Sequence, residues 1–153
     1  MSTSYHLDET DKRILRLLQE DAKIPYSRLA KILNVSEATI HLRIKKLKQL
    51  GILRGFHADI DPAKVGKGTL AFVLIKAQPK LYDHVLSKLS KLKDVYELYD
   101  VTGEFYALAK VRVSDREDLA RLLDEIGRID GVESTYTMYV LRVIKEKKTV
   151  NID

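Results

Sequence analysis

The sequence predicts an α+β fold in two parts, with three helices over the first third of the chain and alternating strands and helices over the rest. Two observations support this division. Apolar residues recur at helical spacing up to about position 50, whereas beyond position 69 helical runs alternate with runs of period two. Between them lies 61–68, DPAKVGKG, whose content of Gly, Lys and Pro is typical of a linker. We therefore predict a first domain over 1–61, a hinge over 62–68 and a second domain over 69–153.

Two helices are predicted before position 34. The first spans 7–21, where apolar residues fall at helical spacing and Asp8 can cap the helix N-terminus. Pro25 interrupts this pattern, and a second, shorter helix is expected over 26–33.

A tight turn and a third helix follow. Asn34 tolerates the left-handed conformation that such a turn needs, and Ser36 can cap a helix over 37–50. Two short helices joined in this way are typical of a helix-turn-helix. Residues 52–60 are expected to form an extended wing or exit strand, which makes the first domain a winged helix-turn-helix. The third helix is predicted to bury one apolar stripe, made of Ile40, Ile44 and Leu47.

The opposite side of the third helix combines small, polar and basic side chains, which suits a helix in the major groove of DNA. Charge supports this interpretation, because residues 1–68 carry the whole net charge of +5, and 22–56 hold eight Lys and Arg against the single Glu37. Charge alone is equally consistent with a solvated basic face. The predicted DNA-binding residues are Arg28, Ser36, Ala38, Thr39, His41, Leu42, Arg43, Lys45, Lys46 and Arg54.

The second domain is predicted to have the order β-α-β-β-α-β. Ser114 and Glu117 are expected to form a capping box at the start of its second helix. This order matches a ferredoxin-like fold, in which both helices cover one face of a four-stranded antiparallel sheet. The other face needs a cover, and a second subunit is the expected one. The strands are predicted over 70–76, 95–101, 105–113 and 132–144, and the first helix over 81–92.

Most of the chain, about residues 5–145, resembles the Lrp/AsnC family, also called feast/famine regulators. The resemblance implies a transcriptional regulator that binds double-stranded DNA sequence-specifically and is modulated by a small amino-acid-like effector bound between subunits. It also implies a homodimer that can assemble further to a tetramer or octamer. The matching positions are Leu7-Asp8 with Asp11, Ile14-Leu15 with Leu18, Leu29-Ala30, Ser36, Arg43-Ile44 with Leu47, Gly51-Ile52, and Asp61-Pro62.

The turn 102–106, TGEFY, corresponds to the family's ligand turn, which usually reads Gly-Asp-x-Asp. Glu104 replaces the first acid conservatively, but Tyr106 replaces the second, so we expect either an altered ligand or no ligand at all. Backbone N–H groups around Gly103 can receive a carboxylate, and Glu104 can hold an ammonium. Alternatively, Gly103 only serves a tight hairpin. The predicted effector-binding residues are Tyr99, Thr102, Gly103, Glu104, Tyr106, Thr135 and Thr137.

A set of tyrosines in the second domain has two possible roles, which are packing at a subunit interface and forming the wall of an effector pocket. The set comprises Tyr96, Tyr99, Tyr106, Tyr136 and Tyr139.

Other functional classes find less support in the sequence. The chain has no Cys, and its four histidines are scattered, so we expect no metal site and no cofactor. Asp59 and Asp61 lack a nucleophile or a phosphate-binding loop, so we expect no enzyme. No apolar run reaches the roughly 18 residues of a membrane span, and the N-terminus is too polar for a secretory signal, which favours the cytoplasm. A non-specific DNA-packing protein is the main alternative, and an enzyme built on the second domain is a more distant one.

Overall fold

A computed structural model describes residues 5–153, and the chain forms two compact units. The first comprises the residues up to Asp59 together with Lys145–Asp153, and the second comprises Ile60–Ile144. Each unit has its own core of buried apolar side chains. Among the residues described, no helix has the length and apolar character needed to cross a membrane.

The first unit contains three helices, close to the predicted bounds. Asp8 caps the first helix, because its carboxylate accepts from the Asp11 N–H while the Asp11 carboxylate accepts from the Asp8 N–H. The side chains of Ile14 and Leu29 are fully buried in the core of this unit. The helices are α1 (Glu9–Glu20), α2 (Tyr26–Leu33) and α3 (Glu37–Gln49).

The turn between α2 and α3 has the predicted conformation. Asn34 is left-handed, with φ 54° and ψ 49°, and its N–H donates to the last carbonyls of α2. Ser36 caps α3, since its hydroxyl accepts from the Thr39 N–H at 3.1 Å. The predicted stripe on α3 is buried, with Ile40, Ile44 and Leu47 all at most 2% exposed. The helix-turn-helix is therefore confirmed.

The strand predicted after α3 is not formed. Residues 52–60 are an irregular segment without strand pairing in the part of the chain that the structure describes. The N–H groups of Ile52 and Leu53 instead donate back to the carbonyl of Leu47, at 3.0 and 3.1 Å. These bonds turn the backbone directly after α3, and the segment expected to form the wing is a coil.

The C-terminal tail, Lys145–Asp153, packs with the first unit, although the sequence assigned it to the second domain. The Gln19 side chain donates to the Val150 carbonyl at 2.9 Å and accepts from the Val150 N–H at 2.7 Å. Arg16 donates to the Ile152 carbonyl at 2.9 Å, and the Ile152 side chain packs on the core of the unit. Periodicity could not reveal these contacts, because they bind the tail backbone rather than a patterned face.

The second unit forms a four-stranded antiparallel sheet in the order β2-β3-β1-β4, which confirms the ferredoxin-like fold. The last strand ends at Tyr139, five residues before the predicted end. The elements are β1 (Thr69–Ala77), α4 (Tyr82–Leu89), β2 (Val95–Asp100), β3 (Ala107–Val113), α5 (Arg116–Gly127) and β4 (Val132–Tyr139).

The predicted capping box of Ser114 and Glu117 is wrong. The helix begins one residue later than that pattern requires, and the N-cap is Asp115, whose carboxylate accepts from the Asp118 N–H at 2.9 Å. The Ser114 hydroxyl bonds the Asp118 side chain instead.

The two faces of the sheet differ in cover. Alternate residues of β1 and β3, such as Val73 and Ala109, are fully buried in the core that holds the apolar residues of α4 and α5. On the opposite face, Tyr136 is 57% exposed and Met138 is 42% exposed. By their register this face also carries Phe72, Leu74, Tyr99 and Leu108.

Candidate nucleic-acid interface and ligand turn

The surface of α3 opposite its buried stripe is open to solvent. Ala38, Lys45 and Lys46 are exposed, and the Leu42 side chain is 68% exposed. A leucine this exposed in the middle of a helix lies in water unless a partner covers it. The first turn is more constrained, because the Thr39 hydroxyl, in addition to its N–H, is bonded to Ser36.

Among the predicted DNA-binding Arg and Lys residues, Arg43 is the exception, because its charge is matched inside the unit. Its Nη1 lies 2.6 Å from Asp8 Oδ2 and 2.9 Å from Asp11 Oδ1, and Asp11 is only 1% exposed. The hydrogen bond from Arg43 holds the pKa of Asp8 below its usual value, and the same bonds raise the pKa of Arg43. Arg43 therefore ties α3 to the start of α1.

The remaining predicted basic residues are exposed on the first unit. Arg28 lies on α2 and Arg54 on the irregular segment after α3. The His41 ring packs edge-on against the Tyr26 ring, with 4.5 Å between centroids. Tyr26 and His41, but neither Arg28 nor Arg54, border an open cavity of about 420 Å³, which is lined by Tyr26, His41, Ile44, Lys45, Lys48 and Gln49.

Two lysines of α3 contact aromatic rings that the sequence prediction missed. Lys46 Nζ lies 4.4 Å from the centroid of the Tyr5 ring, and Lys48 Nζ lies 4.8 Å from the centroid of the Phe56 ring. Both rings lie outside the helices, so helical spacing could not pair them with α3.

The turn 102–106, which the sequence predicts to bind an effector, joins β2 to β3. Its neck is closed by the Val101 N–H, which donates to the Tyr106 carbonyl at 2.8 Å. Gly103 has φ 119°, a conformation that side chains disfavour, and it is exposed with Thr102 and Glu104. Gly103 therefore serves the shape of the turn, and its neighbours leave the turn open to solvent.

Tyr82, at the start of α4, anchors this turn and was missed by the sequence prediction. Its hydroxyl shares its hydrogen bond between Asp100 Oδ1, at 2.8 Å, and the Tyr106 carbonyl, at 2.7 Å. Burial, and next the bond to Asp100, raise the pKa of Tyr82 to about 12. The Tyr82 and Tyr106 rings meet edge-on at 5.5 Å. Tyr106 is thus packed against α4.

The predicted effector residues on the strands are divided between the two faces of the sheet. Thr137 pairs with Val73 and Thr135 with Ile75, so both threonines share the face of the buried β1 residues. Tyr99 pairs with Leu108 and lies on the opposite face. Within one chain, the structure brings the turn and Thr135 to the same end of the sheet and leaves Tyr99 on the other side.

Groups of at least three His, Cys, Asp or Glu that could hold a metal ion are absent from residues 5–153. The observed combination is a helix-turn-helix with an exposed basic helix, followed along the chain by a βαββαβ unit with an open turn. This is the architecture of a two-domain DNA-binding regulator.

Comparison with known proteins agrees with this class. The AsnC-type helix-turn-helix domain matches residues 7–48, and the Lrp/AsnC ligand binding domain matches residues 70–150. The chain is 43% identical over 140 residues to the HTH-type transcriptional regulator FL11 of Pyrococcus furiosus, a match that covers 92% of this chain and 93% of FL11. The FL11 of Pyrococcus horikoshii is 44% identical with the same coverage.

Solved structures give the same result. E. coli AsnC superposes with a TM-score of 0.89 at 35% identity, covering 95% of this chain and 99% of AsnC. A transcriptional regulator from Neisseria meningitidis, solved as a complex with L-Met, superposes with a TM-score of 0.89 at 26% identity, covering 95% of this chain and 97% of its own. The chain belongs to the Lrp/AsnC family of transcriptional regulators.

Proposed function

We propose that the protein regulates transcription by binding specific DNA sequences through α3 and that an amino-acid-like effector modulates this binding. The exposed surface of α3 is the observation that carries the proposal. It presents apolar and basic side chains together, opposite a stripe that is buried in the core. In this function the protein acts by binding alone, and no catalysed step is involved.

The side chains of α3 divide into two roles. Lys45 and Lys46 contact phosphates. Carboxylates neutralise the charge of Arg43 within the protein, whereas the charges of these two exposed lysines are left for a partner. Ala38, Thr39 and Leu42, near the start of the helix, contact base edges and thymine methyl groups. Additional contacts at the borders of the DNA-binding surface come from Arg28, His41 and Arg54. Arg43 contributes indirectly, because its ion pairs hold α3 in position.

Assembly belongs to the second unit. Tyr136 and Met138 on the open face of the sheet are about half exposed, and a second copy of the chain would bury them. A homodimer would present two α3 helices, which can read two half-sites about one helical turn, roughly 34 Å, apart. Further association to a tetramer or octamer would extend the number of half-sites held at once.

The effector is assigned to the turn at residues 102–106. Exposed backbone around Gly103 can receive a carboxylate, and the Glu104 carboxylate, 3.8 Å from Lys76 Nζ, can receive an ammonium. The L-Met complex of the Neisseria meningitidis regulator supports an amino acid as the class of ligand. Because Tyr106 packs against Tyr82, a ligand at this turn meets a ring where the family usually has an acid.

Selection of bound sequences from a random DNA pool, with and without each of the twenty amino acids, tests this function. We expect an enriched site with two half-sites about one helical turn apart, and enrichment that changes with at least one amino acid. Equal affinity for the selected site and for bulk DNA would instead favour a non-specific packing protein, for which the exposed basic surface is also suited.

Substitutions on α3 test the assignment of the DNA face. Lys45→Ala and Lys46→Ala should each lower the salt slope of DNA binding by about 0.9. Leu42→Ala should weaken binding to the selected site by about 1 to 3 kcal/mol and leave binding to bulk DNA unchanged. Lys88→Ala, an exposed lysine of α4, is the matched control. An unchanged affinity and salt slope in both α3 lysine variants would show that DNA binds elsewhere.

A further inference from the structure

The two lysines of α3 that contact aromatic rings lie on different sides of the helix. Lys46 and Lys48 are two residues apart, and two residues of an α-helix turn through about 200°. Lys46 lies on the outward side with Tyr5, whereas Lys48 lines the open cavity together with Tyr26 and His41. A helix in the major groove has a phosphate backbone on each side, so the two ammonium groups are suited to different strands.

The rings come from the segments that flank the three helices. Tyr5 precedes α1, and Phe56 follows α3. The Tyr5 hydroxyl donates to Asp11 Oδ2 at 2.9 Å, and Asp11 is buried and bonded by Arg43. Tyr5 is therefore fixed by the same polar cluster that joins α1 to α3.

An aromatic ring and a carboxylate both bind a cation, but only the carboxylate neutralises its charge. The face of an aromatic ring attracts an ammonium without neutralising its charge, because the ring carries a quadrupole and no net charge. Arg43, between two carboxylates, has its charge matched within the protein. Lys46 and Lys48 keep an unneutralised positive charge, because each contacts a ring. A lysine side chain that is already held in place loses less rotamer freedom when it binds a phosphate.

We propose that Tyr5 and Phe56 are positioning residues for DNA binding, which hold Lys46 and Lys48 towards the phosphates on the two sides of the major groove. This inference rests on the proposed function, since it requires that α3 bind DNA. Each ring acts through its lysine and needs no contact with DNA.

The test is a double-mutant cycle for each pair. Binding is measured to a duplex of about 30 base pairs of mixed sequence, because phosphate contacts do not depend on sequence. Tyr5→Leu should weaken binding about 2- to 5-fold, the size expected of an exposed cation–π contact. The salt slope should stay that of the parent, because the number of phosphate contacts is unchanged. In the Lys46→Ala background, Tyr5→Leu should have no further effect.

Matched variants separate the ring from its other contacts. Tyr5→Phe keeps the ring and loses only the bond to Asp11 that helps to fix it, so it should bind DNA more tightly than Tyr5→Leu. Combined with Lys45→Ala, which belongs to neither pair, Tyr5→Leu should be additive. Phe56→Leu should behave towards Lys48→Ala as Tyr5→Leu does towards Lys46→Ala, and this arm does not touch the polar cluster.

Two results would overturn the inference, and they differ from each other. If Lys46→Ala and Lys48→Ala weaken binding and lower the salt slope while both leucine variants bind as the parent or more tightly, the DNA face stands and the positioning role fails. If neither alanine variant changes the affinity or the salt slope, the DNA face fails as well.

Discussion

At the residue scale, the ion pairs of Arg43 separate its role from that of the other basic residues of α3. Its guanidinium lies within 3 Å of both Asp8 and Asp11, and Asp11 is buried. Removing one partner of a buried charged cluster leaves the other charge uncompensated, which costs more than loss of an exposed pair. An effect of Arg43 substitutions on DNA binding would therefore report the position of α3 and not a lost phosphate contact.

The cluster of Asp8, Asp11 and Arg43 leads us to predict that stability depends on pH in the acidic range. The pKa of Asp8 is lowered in the folded protein, chiefly by the hydrogen bond from Arg43, so Asp8 stabilises the fold above its unfolded pKa of about 4. That contribution is lost as the pH falls through the lowered folded value. We expect the urea-measured free energy of unfolding to fall below about pH 4, and to fall less in Asp8→Asn. The exposed Glu20→Gln is the control, and an identical acid dependence in Asp8→Asn and parent would contradict the assignment.

At the scale of elements, the local signals of the first three helices predict the structure correctly, the capping box of Ser114 and Glu117 does not, and the distant contacts are not predicted at all. Asp8, Asn34 and Ser36 act on backbone groups within four residues, so their residue types were enough to place α1, the turn and α3. The coil at 52–60 departs from the prediction: its first two N–H groups donate back to Leu47, and no strand pairs with the segment among the described residues, neither of which composition reveals.

The candidate site shows the same contrast. The exposed face of α3 follows from helical period, and the open turn at Gly103 follows from the glycine. The contacts of Tyr82 with the hairpin, and of Tyr5 and Phe56 with α3, join elements that only the folded chain brings together.

The bonds of Tyr82 lead us to predict that α4 stabilises the turn 102–106. Tyr82→Phe removes the hydrogen bond that reaches Asp100 and the Tyr106 carbonyl, and should cost about 0.5 to 1.5 kcal/mol of stability. We expect faster hydrogen exchange of the Gly103 and Glu104 amides, measured by mass spectrometry or NMR. Tyr96→Phe, an exposed ring of the neighbouring strand, should change neither quantity. Parent-like exchange in Tyr82→Phe would mean that the backbone of the turn holds its shape alone.

At the scale of the whole molecule, the chain passes between its two units twice, once near Asp59 and again near Lys145. The second passage leads from the end of β4 to the tail that Gln19 and Arg16 of α1 hold by its backbone. A change in β4 therefore has a covalent route to the tail, a hydrogen-bonded route from the tail to α1, and through Asp8 and Asp11 an ion-paired route to α3.

The tail contact can be tested without disturbing the core. Gln19→Ala removes both hydrogen bonds to Val150, and we expect the tail amides to exchange at least several-fold faster and a protease to cut the tail sooner. Glu20→Ala, its exposed neighbour on α1, is the matched control. If the tail exchanges at the parent rate in Gln19→Ala, then Arg16 and Ile152 alone hold it.

The placement of the tail also orders events during synthesis. A ribosome releases α1, α2 and α3 first, but Val150 and Ile152, which contact α1 and its core, leave it only after the whole second unit. The helical unit therefore reaches its final form only after the ferredoxin-like unit has emerged. A nascent chain that stalls between β4 and Val150 therefore carries α3 while α1 still lacks its contacts with the tail.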